Sequence, residues 1–240
     1  MYKEFSKLFS FQDNSFYLLI IVSTFLFIAA LLDFEALKRG KLAIVEPIFA
    51  FEVPVSAFLA FFLLNEIIGK FEILLIVILV LGLILLSLRS VHLNKKLWLE
   101  KGVLLEASTS IFMGFSNFSV GFASRVTTPL LTNWFLNVYS FLICLFYFIC
   151  KKRLGNLIRD IKENKGFLLL LSVFDNSAWI FYAIAASLAP IAIVVALSES
   201  YIIVSVLLGL ILNKERLMRH QKLGLIVSIL SAIVLIGISM

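Results

Sequence analysis

Residues 42–64 read LAIVEPIFAFEVPVSAFLAFFLL. The run contains no lysine or arginine, and it is long enough to cross a bilayer as a helix, which takes about 20 predominantly apolar residues. Glu52 stands near its centre, between Pro47 and Pro54. An ionised carboxylate at that depth is unfavourable by roughly 2.5–3.5 kcal/mol for aspartate on insertion scales. Such an acid either faces a wet cavity or takes up a proton. An apolar span with an acid in its middle therefore predicts both a lipid-embedded fold and a functional position.

Working outward, seven further runs have the same character: Ser15–Leu37, Phe71–Ser90, Gly102–Ser124, Pro129–Cys150, Phe167–Leu188, Pro190–Leu212 and Leu223–Ser239. As helices they satisfy their own backbone hydrogen bonds, which lipid demands. The alternation expected of a membrane β-barrel is missing. Hydrophobic residues make up 62% of the 240 and charged residues 15%, against about 25% charge in a soluble domain. Mean hydropathy is +1.07. The surface itself must be apolar, so the fold expected is an all-α membrane protein with about eight transmembrane helices. The longest link, Lys151–Gly166, has no room for a soluble domain. The first run is long enough to span and lacks a small-residue cleavage site, so it reads as a retained helix.

The net charge of +6 is not the mark of a nucleic-acid face, because the basic residues are scattered through the links. Counted by side, the links after the first, third, fifth and seventh runs hold seventeen lysines and arginines. The opposite side holds four: Lys3, Lys7, Lys70 and Arg125. The positive-inside rule puts the richer side in the cytoplasm and both termini outside. Cys144 and Cys150 lie in one apolar run and read as small hydrophobes, with no disulfide framework or metal-ligand spacing. No metal or other cofactor is implied. His-Glu-x-x-His, G-x-S-x-G and phosphate-binding glycine loops are all missing, and His92 and His220 fall in links. No enzyme is expected. An intramembrane lipid enzyme would have only Asp33 and Glu35 to work with.

Two stretches read alike. Phe34-Glu-Ala-Leu, Glu52, Leu64-Asn-Glu66 and an apolar helix bearing Gly82 are followed by Phe181-Tyr-Ala-Ile, Glu199, Leu212-Asn-Lys-Glu215 and an apolar helix bearing Gly224. One offset aligns Phe34 with Phe181 and Glu52 with Glu199, and a two-residue gap then aligns Glu66 with Glu215. The acid-bearing runs are the second and the seventh, so they cross the membrane in opposite directions. Inverted repeats of this kind build many secondary transporters, in which two halves rock about a central site.

With Ala36-Leu37, Pro47, Glu66 and Gly82, and again Ala183-Ile184, Pro190, Glu215 and Gly224, the chain resembles the EamA-type transporters of the drug/metabolite transporter superfamily. The resemblance covers nearly the whole chain. It implies two inverted repeats, here 1–90 with three helices and 102–240 with five, a 3+5 bundle in the cell membrane. Family members usually have ten helices, so the missing pair would precede residue 1. Members usually keep both termini cytoplasmic, and the charge count here places them on the other side. The resemblance also implies movement, often outward, of a small metabolite, amino acid or drug.

Three acids fall near helix centres: Glu52, Asp175 and Glu199. Pro54 lacks an N–H and should leave a carbonyl one turn earlier unpaired beside Glu52, which opens the helix there. The alternative is a protonated Glu52 bonded to that carbonyl. Glu199, between Ser198 and Ser200, should reach a depth matching Glu52 through the repeat. Its alternative role is an interhelical hydrogen bond. Ser172, Asp175, Trp179 and Tyr182 share one helix face, where an indole and a phenol could stack on a substrate or meet an amine. An interfacial aromatic belt is the other reading. A stripe of Glu106, Ser110, Gly114, Asn117 and Gly121, and another of Asn133, Asn137, Ser140 and Cys144, either line a polar interior or serve close helix packing. Glu66 and Glu215 read as surface or capping residues. The substrate-binding set expected is Glu52, Glu199, Asp175, Trp179, Tyr182, Asn117 and Asn137. The partners expected are a small-molecule substrate, the bilayer, coupled protons and, given an incomplete half, a second copy. The rival expectation is an accessory chain that does not transport by itself.

Overall fold

The computed structural model describes residues 13–39, 48–88, 101–212 and 217–239. Pro47, Glu215 and His92 lie outside them. The described residues form ten helices and no strand: α1 Asp13–Arg39, α2 Glu52–Leu64, α3 Lys70–Ser87, α4 Lys101–Val126, α5 Pro129–Cys150, α6 Leu154–Glu163, α7 Lys165–Leu188, α8 Ile191–Ser198, α9 Tyr201–Leu212 and α10 Arg219–Ser239.

Six of these segments are long and apolar enough to cross a membrane: Ser15–Ala36, α3, α5, α7, the Ile191–Leu208 stretch of α8 and α9, and α10. The other two expected spans differ for separate reasons. α4, at 26 residues, is long enough, but its Ser, Thr, Asn and Gly content dilutes its apolar character. α2 is apolar but has only 13 residues, because a turn at 50–51 separates it from the helical residues 48–49; the start of the expected run, 42–47, lies outside the described residues. The apolar surface is extensive, with Phe146, Phe167 and Phe181 each 70% exposed. Lipid is the solvent that tolerates such a surface.

Local chemistry sets the ends. Thr128 accepts a hydrogen bond from Leu131 N at 3.2 Å, and Pro129 occupies the first helical position of α5. That pairing suits a helix start, because proline lacks only an N–H that has no partner there. α2 ends at Asn65, which takes the left-handed conformation at φ 52. The Lys151–Gly166 link, read from sequence as plain connection, contains α6.

The chain divides into two compact units. The first comprises 1–27 and 119–188, the second 28–118 and 189–240. In the first, Leu19, Val22, Val120, Ala123, Leu136 and Ala183 form the buried core. Polar ties hold it. Thr24 and Tyr139 share a 2.6 Å hydroxyl bond. Asn133 donates to Trp179 O at 3.2 Å, and Arg125 Nε donates to Ala186 O at 2.8 Å.

In the second unit, α3 and α10 run antiparallel in close contact. A Cβ on Gly224 would sit 2.7 Å from Gly82 O and from Leu86 N, and one on Gly82 would meet Ser228 Oγ at 2.5 Å. Gly82 and Gly224 thus pack against each other. Small residues permit this approach, as is usual where helices must adhere without a hydrophobic drive. His220 Nε2 bonds Leu88 O at 2.8 Å, and Gln221 Nε2 donates to Leu86 O at 3.2 Å, fastening the same crossing. α8 lies against α2 and α3, with Ile191–Ala196 wholly buried.

Candidate functional site

The second unit carries Glu52 and Glu199 at interruptions in helices. Residues 48–49 are helical, 50–51 turn, and α2 then begins at Glu52. Pro54 therefore stands in the first turn of α2 instead of kinking a long helix. Its missing N–H frees Ala50 O, which Val53 N approaches at 3.4 Å. α8 ends at Ser198, and α9 resumes at Tyr201 across a turn at Glu199 and Ser200. Ser200 N reaches back to Leu197 O at 3.0 Å, and Ile202 N to Glu199 O at 3.2 Å, a tighter step than an α-helix takes. Glu52 and Glu199 thus each sit where a helix gives up its regular ladder, as discontinuous helices do at transporter binding sites.

α4 is drawn against α2 by its small residues. A Cβ on Gly114 would lie 2.8 Å from Glu52 O and 2.7 Å from Val55 Cβ, so only glycine admits α2 there. One turn earlier, Ser110 Oγ donates to Ile48 O at 2.9 Å. Three residues after the glycine, Asn117 Nδ2 donates to Glu52 Oε2 at 3.2 Å. The α4 stripe thus packs at Ser110 and Gly114 and meets the acid at Asn117.

Glu52 and Glu199 are 5% and 4% exposed, and their carboxyl groups lie within hydrogen-bonding reach of each other. An ionised carboxylate has acceptors only, so a bond between two carboxyls requires a proton on at least one. Glu199 Oε2 is buried without a partner, as are both carboxyl oxygens of Glu106 on α4 and Oδ1 of Asp33 on α1. Glu106 and Asp33 lie near enough to Glu52 to act on it electrostatically. Among the residues whose side-chain burial is described, no lysine, arginine or histidine is buried, so no side-chain cation in that set neutralises these acids from inside the core. Dry carboxylates without partners are strongly unfavourable. A proton, or a cation from outside, is what the arrangement can accept.

The remaining residues expected at the site lie in the first unit. Trp179 and Tyr182 stack edge to face on α7 at 5.7 Å and pack against the Leu19–Ala183 core. Asp175, one turn earlier, is exposed. Asn137 is also exposed, and its Nδ2 donates to Asn133 O at 2.9 Å.

Several residues do more than sequence assigned to them. Glu66, read as a surface or capping residue, accepts from Ile191 N at 2.9 Å and so caps α8, 125 positions away. The N-cap residue of α8 is Pro190, which has no polar side chain, so this carboxylate takes over that task. His220, in a link by sequence, ties α10 to α3. Glu106 was visible in the α4 stripe but not as a partnerless acid, since spacing along one helix does not reveal what the facing helices lack.

Comparison with known proteins agrees with this architecture. The chain matches the EamA-like transporter family over residues 1–88 and 100–237. Thirteen solved chains match the fold. One, described only as a crystal structure of a protein, gives a TM-score of 0.68 over 93% of this chain and 76% of its own length, at 13% identity. At that identity the likeness shows the fold alone. No curated protein matches the sequence. With nearly its whole length matched, and with multiple apolar helices exposed as lipid requires, this chain belongs to the EamA-like transporter family and is a multi-pass integral membrane transporter of small molecules.

Proposed function

We propose that the protein is a secondary transporter that exports a small metabolite, amino acid or drug by alternating access, and that protons exchange at the Glu52–Glu199 pair. The observation that supports this most is the pair of buried carboxyl groups within reach of each other, each at an interruption between helices. The pair must hold a proton while it stays closed and dry. If both groups ionised, their repulsion would favour opening to water. A change of protonation is thereby coupled to a change of access, which is what exchange transport needs.

The division into repeats 1–90 and 102–240 is part of the same reading. The reciprocal contact of Gly82 and Gly224 fits it, since each glycine lies on the helix that follows the acid-bearing one. Asn117 holds Glu52 in place. Asp175, Trp179, Tyr182 and Asn137 are assigned to substrate contact, on the strength of one aromatic and polar face on α7 and an exposed amide on α5. The face rich in lysine and arginine is cytoplasmic.

Purified protein in sealed vesicles tests the proposal. Uptake of a broad panel of amines, amino acids and metabolites is measured with and without an imposed pH gradient. At least one compound should accumulate only with the gradient, and Glu52→Gln or Glu199→Gln should abolish that dependence. Failure across the panel, or gradient-driven uptake that survives both substitutions, rejects the mechanism.

A further inference from the structure

Between α5 and α7, α6 presents an apolar face of which Leu154 and Leu157 are half-buried and Ile158 and Ile161 exposed. None of its residues is buried, and Ile158 and Ile161 are 52% and 46% exposed. Leu154, Leu157, Ile158 and Ile161 are spaced 3, 1 and 3 apart, which gathers them on one side of the helix. Asn156, Arg159, Asp160 and Glu163 fall on the other side, and Lys162 stands at the boundary. Arg159 pairs with Glu163 at 3.9 Å within the water-facing set.

The position of α6 follows from its connections. Both α5 and α7 are apolar enough to cross a membrane. Only Lys151–Arg153 separates α5 from α6, and only Asn164 separates α6 from α7. Three residues reach about 10 Å when fully extended. The chain also turns sharply after α5, with Lys152 at φ 52. α6 therefore stays at the membrane surface, beside the lipid headgroups. Residues 151–165 hold six lysines and arginines against two acids. Four aliphatic side chains and a cationic surplus match the two layers found at that depth, acyl chains below and phosphates above.

We infer that α6 is an interfacial helix that lies in the bilayer surface with Leu154, Leu157, Ile158 and Ile161 in the acyl region, and that it binds anionic phospholipid headgroups through Arg159, Lys162 and the cations that flank it. The inference depends on the chain being a membrane protein and not on what it transports.

The test uses the full chain with Cys144→Ser and Cys150→Ser, labelled with a fluorophore at Ile158→Cys or at Glu163→Cys. The chains are placed in phosphatidylcholine vesicles with or without phosphatidylglycerol. Brominated lipids should quench the label at position 158, and aqueous iodide should reach it several-fold less well than the label at 163. Phosphatidylglycerol should increase that shielding. Each of Arg159→Gln and Lys162→Gln should reduce the increase roughly fivefold, as should high salt. Equal iodide access at both positions in every vesicle overturns the inference. So does shielding in native membranes that disappears in vesicles, because a protein partner would then be the cover. Shielding unchanged by phosphatidylglycerol overturns the anionic-lipid assignment.

Discussion

Replacing Gly224 with alanine tests the contact on which the second unit depends. The added Cβ would stand 2.7 Å from two backbone atoms of α3, Gly82 O and Leu86 N, while ordinary contacts begin near 3.4 Å. Neither atom belongs to a side chain that could rotate away, so α3 and α10 must part by about 0.7 Å where they cross. Parting strains the His220–Leu88 and Gln221–Leu86 bonds, now 2.8 and 3.2 Å. Overpacking of this kind is destabilising by about 1–3 kcal/mol, or between about 5-fold and 150-fold in the ratio of folded to unfolded protein. Gly237→Ala on the same helix is the control. No heavy atom lies within 4 Å of its Cβ position, and alanine favours a helix over glycine by up to about 1 kcal/mol. Unfolding in mixed micelles of rising denaturing-detergent content should show Gly224→Ala failing early and Gly237→Ala unchanged or improved. Equal stability of the two variants would refute the crossing described here.

Gly114→Ala should push α2 from α4 and weaken the Asn117–Glu52 bond. It should lower transport at least as much as Asn117→Leu, measured as initial uptake in vesicles. Glu66→Gln keeps a weaker cap on α8 and should be destabilising by about 0.3–1 kcal/mol. Glu66→Ala removes the cap and should be destabilising by about 1–2 kcal/mol; thermal unfolding of the two variants checks the order. In a Cys144→Ser, Cys150→Ser background, Lys152→Cys should react with impermeant thiol reagents from the cytoplasmic side only, and Gly69→Cys from the opposite side only. The reverse result would invert the orientation drawn from the charge count.

Much of the fold was legible because lipid is a demanding solvent. Runs such as Ser15–Leu37 and Pro129–Cys150 have no other stable home than a spanning helix, and their bounds follow from where charge begins. The helix interruptions were harder to read. Residues 42–64 and 190–212 are continuous in hydropathy, yet a turn at 50–51 precedes α2 and a turn at Glu199 separates α8 from α9, since turns within buried apolar backbone leave no polar signature. Glu52 and Glu199 stood out because an acid in an apolar run is unfavourable and therefore conspicuous. Their approach to each other, and the partnerless Glu106, depend on facing helices that spacing along one helix does not describe. α6 went unread because its charges dominate a short link, and its four-residue apolar face emerges only at helical periodicity.

The claim beneath the mechanism is that Glu52 and Glu199 share a proton inside the bilayer. Infrared spectroscopy of the reconstituted protein reports it directly, through the stretching band of protonated carboxylic acids. The wild-type spectrum should contain such a band, inaccessible to rapid deuterium exchange in the closed state, and both Glu52→Gln and Glu199→Gln should alter it. A spectrum showing only ionised carboxylates, or a protonated band indifferent to both substitutions, would contradict the account.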